Sequence, residues 1–518
     1  MIPHQKEDPS IIDAQEDENG AFTLPRSSTQ VSLYYIWALL VCFLFVGESF
    51  GLNVLLTTTM TVPLYAFLDL ENLRKPKWWL ASLIFLLTAI GVFVHPTNTA
   101  ITAWFVSFMY FFVVTNFSRF SLYIGLLQAL IAVLNSYASF FEALSNFFRQ
   151  KTEKKKRAYI RILQIIVPIT LGMIFIKLYQ RADKNFHDMT WFINLEWFSW
   201  RFVAWYLIAI FVLFGTYFGV TSSILKEWEQ KCKDDVPKDH EDRIEKYLGE
   251  DNEARIASTT LILLNLILGL YVLMDFRYLF TGLTNPVTDP NLAEVVHDGI
   301  VALISSITLV ILLVTFFLRG KLNFRNNKRV EWLTITWLVL NILLVFTTSV
   351  KNFEYISSWG LTYRRMGVYI YLFLCLVGLV IAIVKVRKKK TFWFLLRNTT
   401  LAFALVLASL LTFNWNRFIT DYNLTNIEKE HIDFQYLVSL GPDTYAYIIH
   451  YHNNVSEVDD EILKQIADEA PKHLSNLSSK KATTTWKSYT INDAKLYEEL
   501  SNLELDYKDR NFLWKLFN

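Results

Sequence analysis

The feature that most limits what this chain can become is a long series of apolar runs along residues 33–414, each closed by a short charged block. Crossing the hydrocarbon core as a helix takes about 20 predominantly apolar residues. Runs of that kind fall at 33–47 with 50–68, then 79–94, 98–115, 121–142, 160–179, 202–224, 257–280, 298–318, 331–350, 364–386 and 393–414. In lipid every backbone polar group must find its partner inside the protein, so runs like these are viable only as helices. The expected fold class is therefore an all-α polytopic membrane protein of 11–12 helices, carrying a small C-terminal α/β or α soluble domain. With 53% hydrophobic residues and 19% charged ones over 518 residues, the chain has more apolar surface than a water-soluble fold of its size needs.

Three segments follow from the same pattern. Residues 1–32 form a polar, acidic arm without the basic start and short apolar core of a signal peptide, and are expected to be disordered. Residues 33–414 are the multi-pass membrane domain. Residues 415–518 carry 17 carboxylates against 11 lysines and arginines, and are expected to form an acidic soluble domain. Within it EILKQIADEAPKHLSNL (461–477) reads as a helix stopped or kinked at Pro471, TTTWKSYT (483–490) as a strand, and 493–517 as a helix.

Basic loops stay cytoplasmic. RQKTEKKKRAYIR (149–161), the lysine-rich stretch 226–255, RGKLNFRNNKR (319–329) and KVRKKK (385–390) agree if every second connection from 149 onward is inside. The connections at 181–200, 281–297 and 351–363 are then outside, as is everything after Phe413. The N-terminal third fits less well: with NLRKPK (72–77) also inside, an even number of spans must separate it from 149, yet three are read.

That orientation gives meaning to LMDFRYLF (273–280), an apolar stretch holding Asp275 and Arg277. Two positions apart on a helix, the two side chains point about 200° apart and cannot pair with each other. Arg181, Asp183, Arg364, Arg365, Arg417 and Asp421 reach the same expected depth from other spans. Two readings suit this outer layer: interfacial anchors that pin helix ends, or a pocket for an anionic head group or carrier-linked ligand, which arginine's forked geometry suits. Glu48, in the break GESFG, is either a cation or proton site or an interfacial residue of a short hairpin. Glu142 is the other charge inside an apolar stretch.

His450 and His452 would share one side of an extended strand, but zinc wants three or four ligands, so no metal site is expected. Cys42, Cys232 and Cys375 lie far apart and suggest neither a disulfide framework nor metal spacing. No Gly-rich phosphate loop or common catalytic motif is present. No cofactor and no nucleic-acid partner is expected; the lipid bilayer is the evident partner.

The residues also resemble the bacterial multi-pass membrane proteins grouped as domain of unknown function 4153/4173. The resemblance runs from about 160 to 450. It is carried by Ala182, Asp183 and Phe186 in RADKNF, by Glu253 and Ala254, and by Arg277, Tyr278, Leu279, Phe280 and Gly282 in FRYLFTG. It continues through Ala293, Glu294 and Gly299, then Tyr355 ahead of GLTYRR with Gly360, Leu361, Thr362 and Arg365. Tyr422, Asn423, Asp433, Tyr436, Leu437 and Asp443 close it. The chain departs from the pattern at Asp275, where the family more often has glutamine, at Lys351, where it has arginine, and at His297 and Asp298, which replace a basic stretch. The resemblance implies a bacterial cytoplasmic membrane location and no assigned reaction.

The expected function is a cell-envelope binding or scaffold protein with a polar site at the outer face, drawn from Asp183, Asp275, Arg277, Tyr278, Tyr355, Arg364, Arg365 and Asp443. Its C-terminal domain would lie outside and dock an envelope protein partner. The alternatives are a transporter of a small or lipid-linked anionic substrate, and an enzyme acting on a lipid-linked substrate with Asp183, Asp275 or Asp443 as base. Arg277 is expected to outweigh Asp275, and Asp183, Arg277 and Arg365 to converge.

Overall fold

The computed structural model describes residues 28–116, 121–149, 200–218, 223–235, 250–284 and 328–509, with parts of 168–190. Regular structure among the described residues is helical. The helices are α1 (Ser28–Phe45), α2 (Leu52–Leu68), α3 (Pro76–Val94), α4 (Asn98–Asn116), α5 (Leu122–Arg149), α6 (Lys184–Met189), α7 (Trp200–Phe218) and α8 (Ser223–Lys231). They continue with α9 (Glu250–Thr284), α10 (Lys328–Trp359), α11 (Tyr363–Arg387), α12 (Phe392–Leu410) and α13 (Trp415–Asn426). The C-terminal ones are α14 (Phe434–Ser439), α15 (Tyr445–Asn454), α16 (Asp460–Thr483) and α17 (Ile491–Asp509).

Among the described residues seven helices are long and apolar enough to cross a membrane: α3, α4, most of α5, residues 252–277 of α9, α10, α11 and α12. Shorter apolar stretches occupy Leu33–Phe45, Leu52–Leu68 and Phe202–Phe214. Every window expected from the sequence coincides with one of these, except 160–179 and 298–318, which fall wholly or largely outside the described residues.

The chain divides into two compact units, residues 1–227 with 484–489, and residues 228–483 with 490–518. The first is organised around aromatic residues. Tyr34, Trp78, Phe85, Phe111 and Tyr217 are almost fully buried, and Phe85 stacks on Phe111 at 5.4 Å. A buried indole N–H needs an acceptor, and threonines on neighbouring helices provide it. Trp37 donates to Thr61 at 3.1 Å, Trp78 to Thr115 at 3.1 Å and Trp104 to Thr58 at 2.9 Å.

The second unit packs α9 on α10, α10 on α11 and α11 on α12 around Ala257, Leu261, Trp337, Leu338, Leu344, Leu372, Leu379 and Leu395. At one end of α12, Arg397 bonds Glu229 at 2.5 Å, the Cys232 carbonyl at 2.5 Å, and Asp234. The C-terminal helices share a second core, with Ile419, Leu437, Tyr445, Ile448, Ile466 and Leu500 packed together with Ile356 and Leu361.

Three local expectations are corrected. TTTWKSYT is not a strand: Trp486–Ser488 is a short 3-10 turn whose N-cap Thr485 accepts from Lys487 N. His450 and His452 lie on α15, not on a strand, so residues two apart diverge around the helix. Helix α16 runs through Pro471 to Thr483 rather than stopping at the proline.

Candidate functional site

The helical period of α9 buries Leu261, Val272 and Asp275 while Leu273 and Met274 stay exposed. Asp275 is thus carried on the packing face, against α10. There Thr347, Thr348 and Lys351 share the face of Leu344. Lys351 Nζ lies 2.5 Å from Asp275 Oδ1, and the Thr347 hydroxyl donates to Oδ2 at 2.7 Å. Burying a carboxylate and an ammonium is tolerated only when they pair and their remaining valences are met. Asp275 and Lys351, the two positions in this region expected to depart from the family pattern, are the partners of one ion pair. Arg277, two residues on, is exposed.

About two turns further along α10 the helix ends at Gly360, whose φ of +79° suits glycine. Asn423 of α13 holds this turn from outside, accepting from Leu361 N at 2.5 Å and donating to Leu361 O at 2.9 Å. Thr362 caps α11 by accepting from Arg365 N. The Arg365 guanidinium donates to the Trp359 carbonyl at 2.6 Å and to the Gly360 carbonyl, and lies 4.1 Å above the Tyr355 ring. Carbonyls left free at a helix C-terminus favour a cation, and Arg365 supplies it. Its neighbour Arg364 is exposed, with no hydrogen bond or ion pair from its guanidinium among the described residues. Tyr436 receives the Tyr363 N–H at 2.9 Å; burial pushes its hydroxyl pKa up, so it stays protonated.

Asp443 belongs to a separate buried group. It is 4% exposed on the turn Pro442–Thr444, where it accepts from Asn492 at 3.0 Å and faces Arg417 at 3.5 Å. Arg417 also bonds Glu499 at 2.6 Å. These contacts tie α13 and the Asp443 turn to α17. Sequence reasoning named Arg417 and Asp443 but missed Glu499 and Asn492. A signal existed for Glu499, which lies at helical spacing beside the buried Leu496 and Leu500.

Of the eight expected site residues, Asp183 and the Tyr278 side chain lie outside the described residues. Asp275 is paired inside the helix packing; Tyr355 and Arg365 are stacked together; Arg277 and Arg364 remain exposed at the same end of α9, α10 and α11. Among the described residues Arg365 meets two carbonyls and a ring; Asp183, with which it and Arg277 were expected to converge, lies outside them. No group of three or more His, Cys, Asp or Glu able to hold a metal is found among the described residues.

A family model described as "Domain of unknown function (DUF4153)" matches residues 33–451. No curated protein and no solved structure matches the chain. A match over most of the chain, including all eight expected site residues, identifies the protein as a member of the DUF4153 family.

Proposed function

We propose that this protein is a multi-pass membrane protein of the bacterial cell envelope that binds an anionic head group or carrier-linked ligand at its outer face and supports a C-terminal platform for a partner. The observation that carries this reading is the pair of neighbouring arginines at the start of α11. Arg365 is spent on helix-terminal carbonyls and the Tyr355 ring, which fixes the backbone beside it, while Arg364 is left exposed. A guanidinium on a fixed backbone offers a forked donor set for phosphate or carboxylate at low ordering cost. Arg277 adds an exposed cation at the same end of the bundle. The C-terminal helices, held to this end through Asn423 and Leu361, form the platform.

The test is lipid retention. Full-length protein purified in mild detergent should keep phosphatidylglycerol or cardiolipin in preference to phosphatidylethanolamine, and Arg364→Gln should weaken the preference without changing thermal stability. Equal retention of anionic and zwitterionic lipid by the unaltered protein would refute it. A transporter reading draws on the Asp275–Lys351 pair, an ionisable couple between two spanning helices. It requires flux of an anion across vesicles that Lys351→Met eliminates.

A further inference from the structure

The connection between α1 and α2, GESFGLN, poses a problem of unmet backbone groups. α1 ends with free carbonyls and α2 begins with free N–H groups, and both are costly where water is scarce. Asn53 meets part of the need: its side chain accepts from Gly51 N at 2.9 Å and donates to Leu44 O at 3.2 Å and Ser49 O at 2.9 Å. The rest comes from residues 484–489, which belong to the same compact unit although more than 430 residues away.

This segment engages both helix ends. Leu52 N, at the start of α2, donates to Tyr489 O at 2.9 Å, and Ser49 N donates to Ser488 Oγ at 3.0 Å. Lys487 Nζ donates to Phe43 O at 2.8 Å and sits 3.8 Å from the centre of the Phe43 ring. Glu48 gathers the remainder: Thr485 and Ser488 donate to its two oxygens at 2.8 Å each, and Lys487 lies 3.8 Å away. A cation at a helix C-terminus, over an aromatic face and beside a carboxylate, is favoured on three independent grounds. Backbone approach is equally specific. A Cβ on Gly51 would stand 2.6 Å from Tyr489 O and 2.7 Å from Ser488 O, so only glycine admits the segment.

We propose that residues 484–489 are an intramolecular strap that closes the α1–α2 break, with Lys487 as its tethered cation, and that the break and the C-terminal segment therefore share one face of the membrane. This rests on the multi-pass reading above. One crossing, α2, then places Arg74, Lys75 and Lys77 on the opposite face. That is the cytoplasmic side by loop charge if the tail is outside, so contact geometry and charge distribution agree on the orientation of the first hairpin.

The experiment uses the full chain in sealed vesicles of both orientations. Ser49→Cys and Tyr489→Cys are introduced singly and together; the latter change keeps the strap's backbone bonds and the Thr485 and Ser488 hydroxyls. The natural Cys42, Cys232 and Cys375 are buried. A short bifunctional thiol reagent should join residues 49 and 489, and a membrane-impermeant reagent should label both from the same vesicle orientation. Lys487→Ala or Glu48→Gln should raise the labelling rate at Tyr489→Cys roughly 5- to 30-fold, the range for losing one or two modest interactions. Absence of the cross-link while both single cysteines label, or labelling from opposite faces, overturns the proposal. So does an unchanged labelling rate in both variants, and if those fail to accumulate the double-cysteine result decides alone. Release of the chain by an alkaline carbonate wash would instead refute the multi-pass reading on which the strap rests.

Discussion

Replacing Lys351 by methionine leaves the Asp275 carboxylate facing α10 with only the Thr347 hydroxyl. The two charged side chains are 8% and 9% exposed, so water cannot replace the lost ammonium. Removing one partner of a buried pair costs about 3–5 kcal/mol, whereas replacing both by groups of similar volume is often neutral. A neutral hydrogen bond between membrane helices is worth only about 0.6 kcal/mol, because the separated helix finds other partners. An unpaired charge has no such outlet, so the larger figure governs here. Lys351→Met and Asp275→Asn should each lower stability by about 3–5 kcal/mol, and the double variant should recover to within about 1 kcal/mol of the original. At roughly 2–4 °C per kcal/mol, each single change shifts the melting temperature by about 6–20 °C. The assay is built into the chain: Cys375 is buried in the same unit, and a thiol-reactive dye reports its exposure during a thermal ramp in mild detergent. Single variants costing under about 1 kcal/mol, or a double variant equal to the sum of the singles, would refute the buried-pair argument.

Arg397→Leu leaves Glu229 and Asp234 without their shared cation and should cost about 3–5 kcal/mol. Burial and Glu229 raise the pKa of the Cys232 thiol while Arg397 lowers it, so the variant should raise it further and slow labelling of the folded protein at Cys232. Gly360→Ala puts a methyl group 2.8 Å from Asn423 Oδ1 at a φ of +79°, and should cost about 1–3 kcal/mol; amide exchange at Leu361 N should rise with it. The hydrogen bond from the Tyr445 hydroxyl holds Glu469 below the ordinary carboxylate range. A depressed carboxylate stabilises the fold above its unfolded pKa, near 4.5, and that contribution is lost as pH falls through the lower folded value. Exchange protection of α15 and α16 should therefore drop with acid below about pH 4.5, and Tyr445→Phe should flatten that dependence.

The helices were legible where composition alone decides. α3, α4, α10 and α11 coincide with apolar windows because a run of that length and polarity has no other stable form in lipid. The tail was read less well, since there short-range pattern competes with packing. YAYIIHYHNN alternates enough to pass for a strand, yet Tyr445, Ile448 and Tyr451 are the buried positions, which is the helical spacing of three. TTTWKSYT has strand-like residues, but Thr485, Lys487 and Ser488 use their side chains on Glu48 and Phe43. No local rule reveals a partner more than 430 residues away. Of the polar layer, the need of Asp275 for a partner other than Arg277 was legible from its position in an apolar helix. Its partner was not, because Lys351 reads as one more charge near a helix end until α9 and α10 are laid side by side.

The contact between Ser49 and Ser488 has a consequence for the order of synthesis. The two residues are 439 positions apart, and at about 5–20 residues per second the second is made roughly 20–90 s after the first. Throughout that interval the carbonyls ending α1 and the N–H groups opening α2 must be met by water, by lipid head groups or by a chaperone. A truncation that removes only the last few dozen residues would leave the first hairpin in that unfinished condition permanently. Its degradation signature would then map to the N-terminus, far from the lesion.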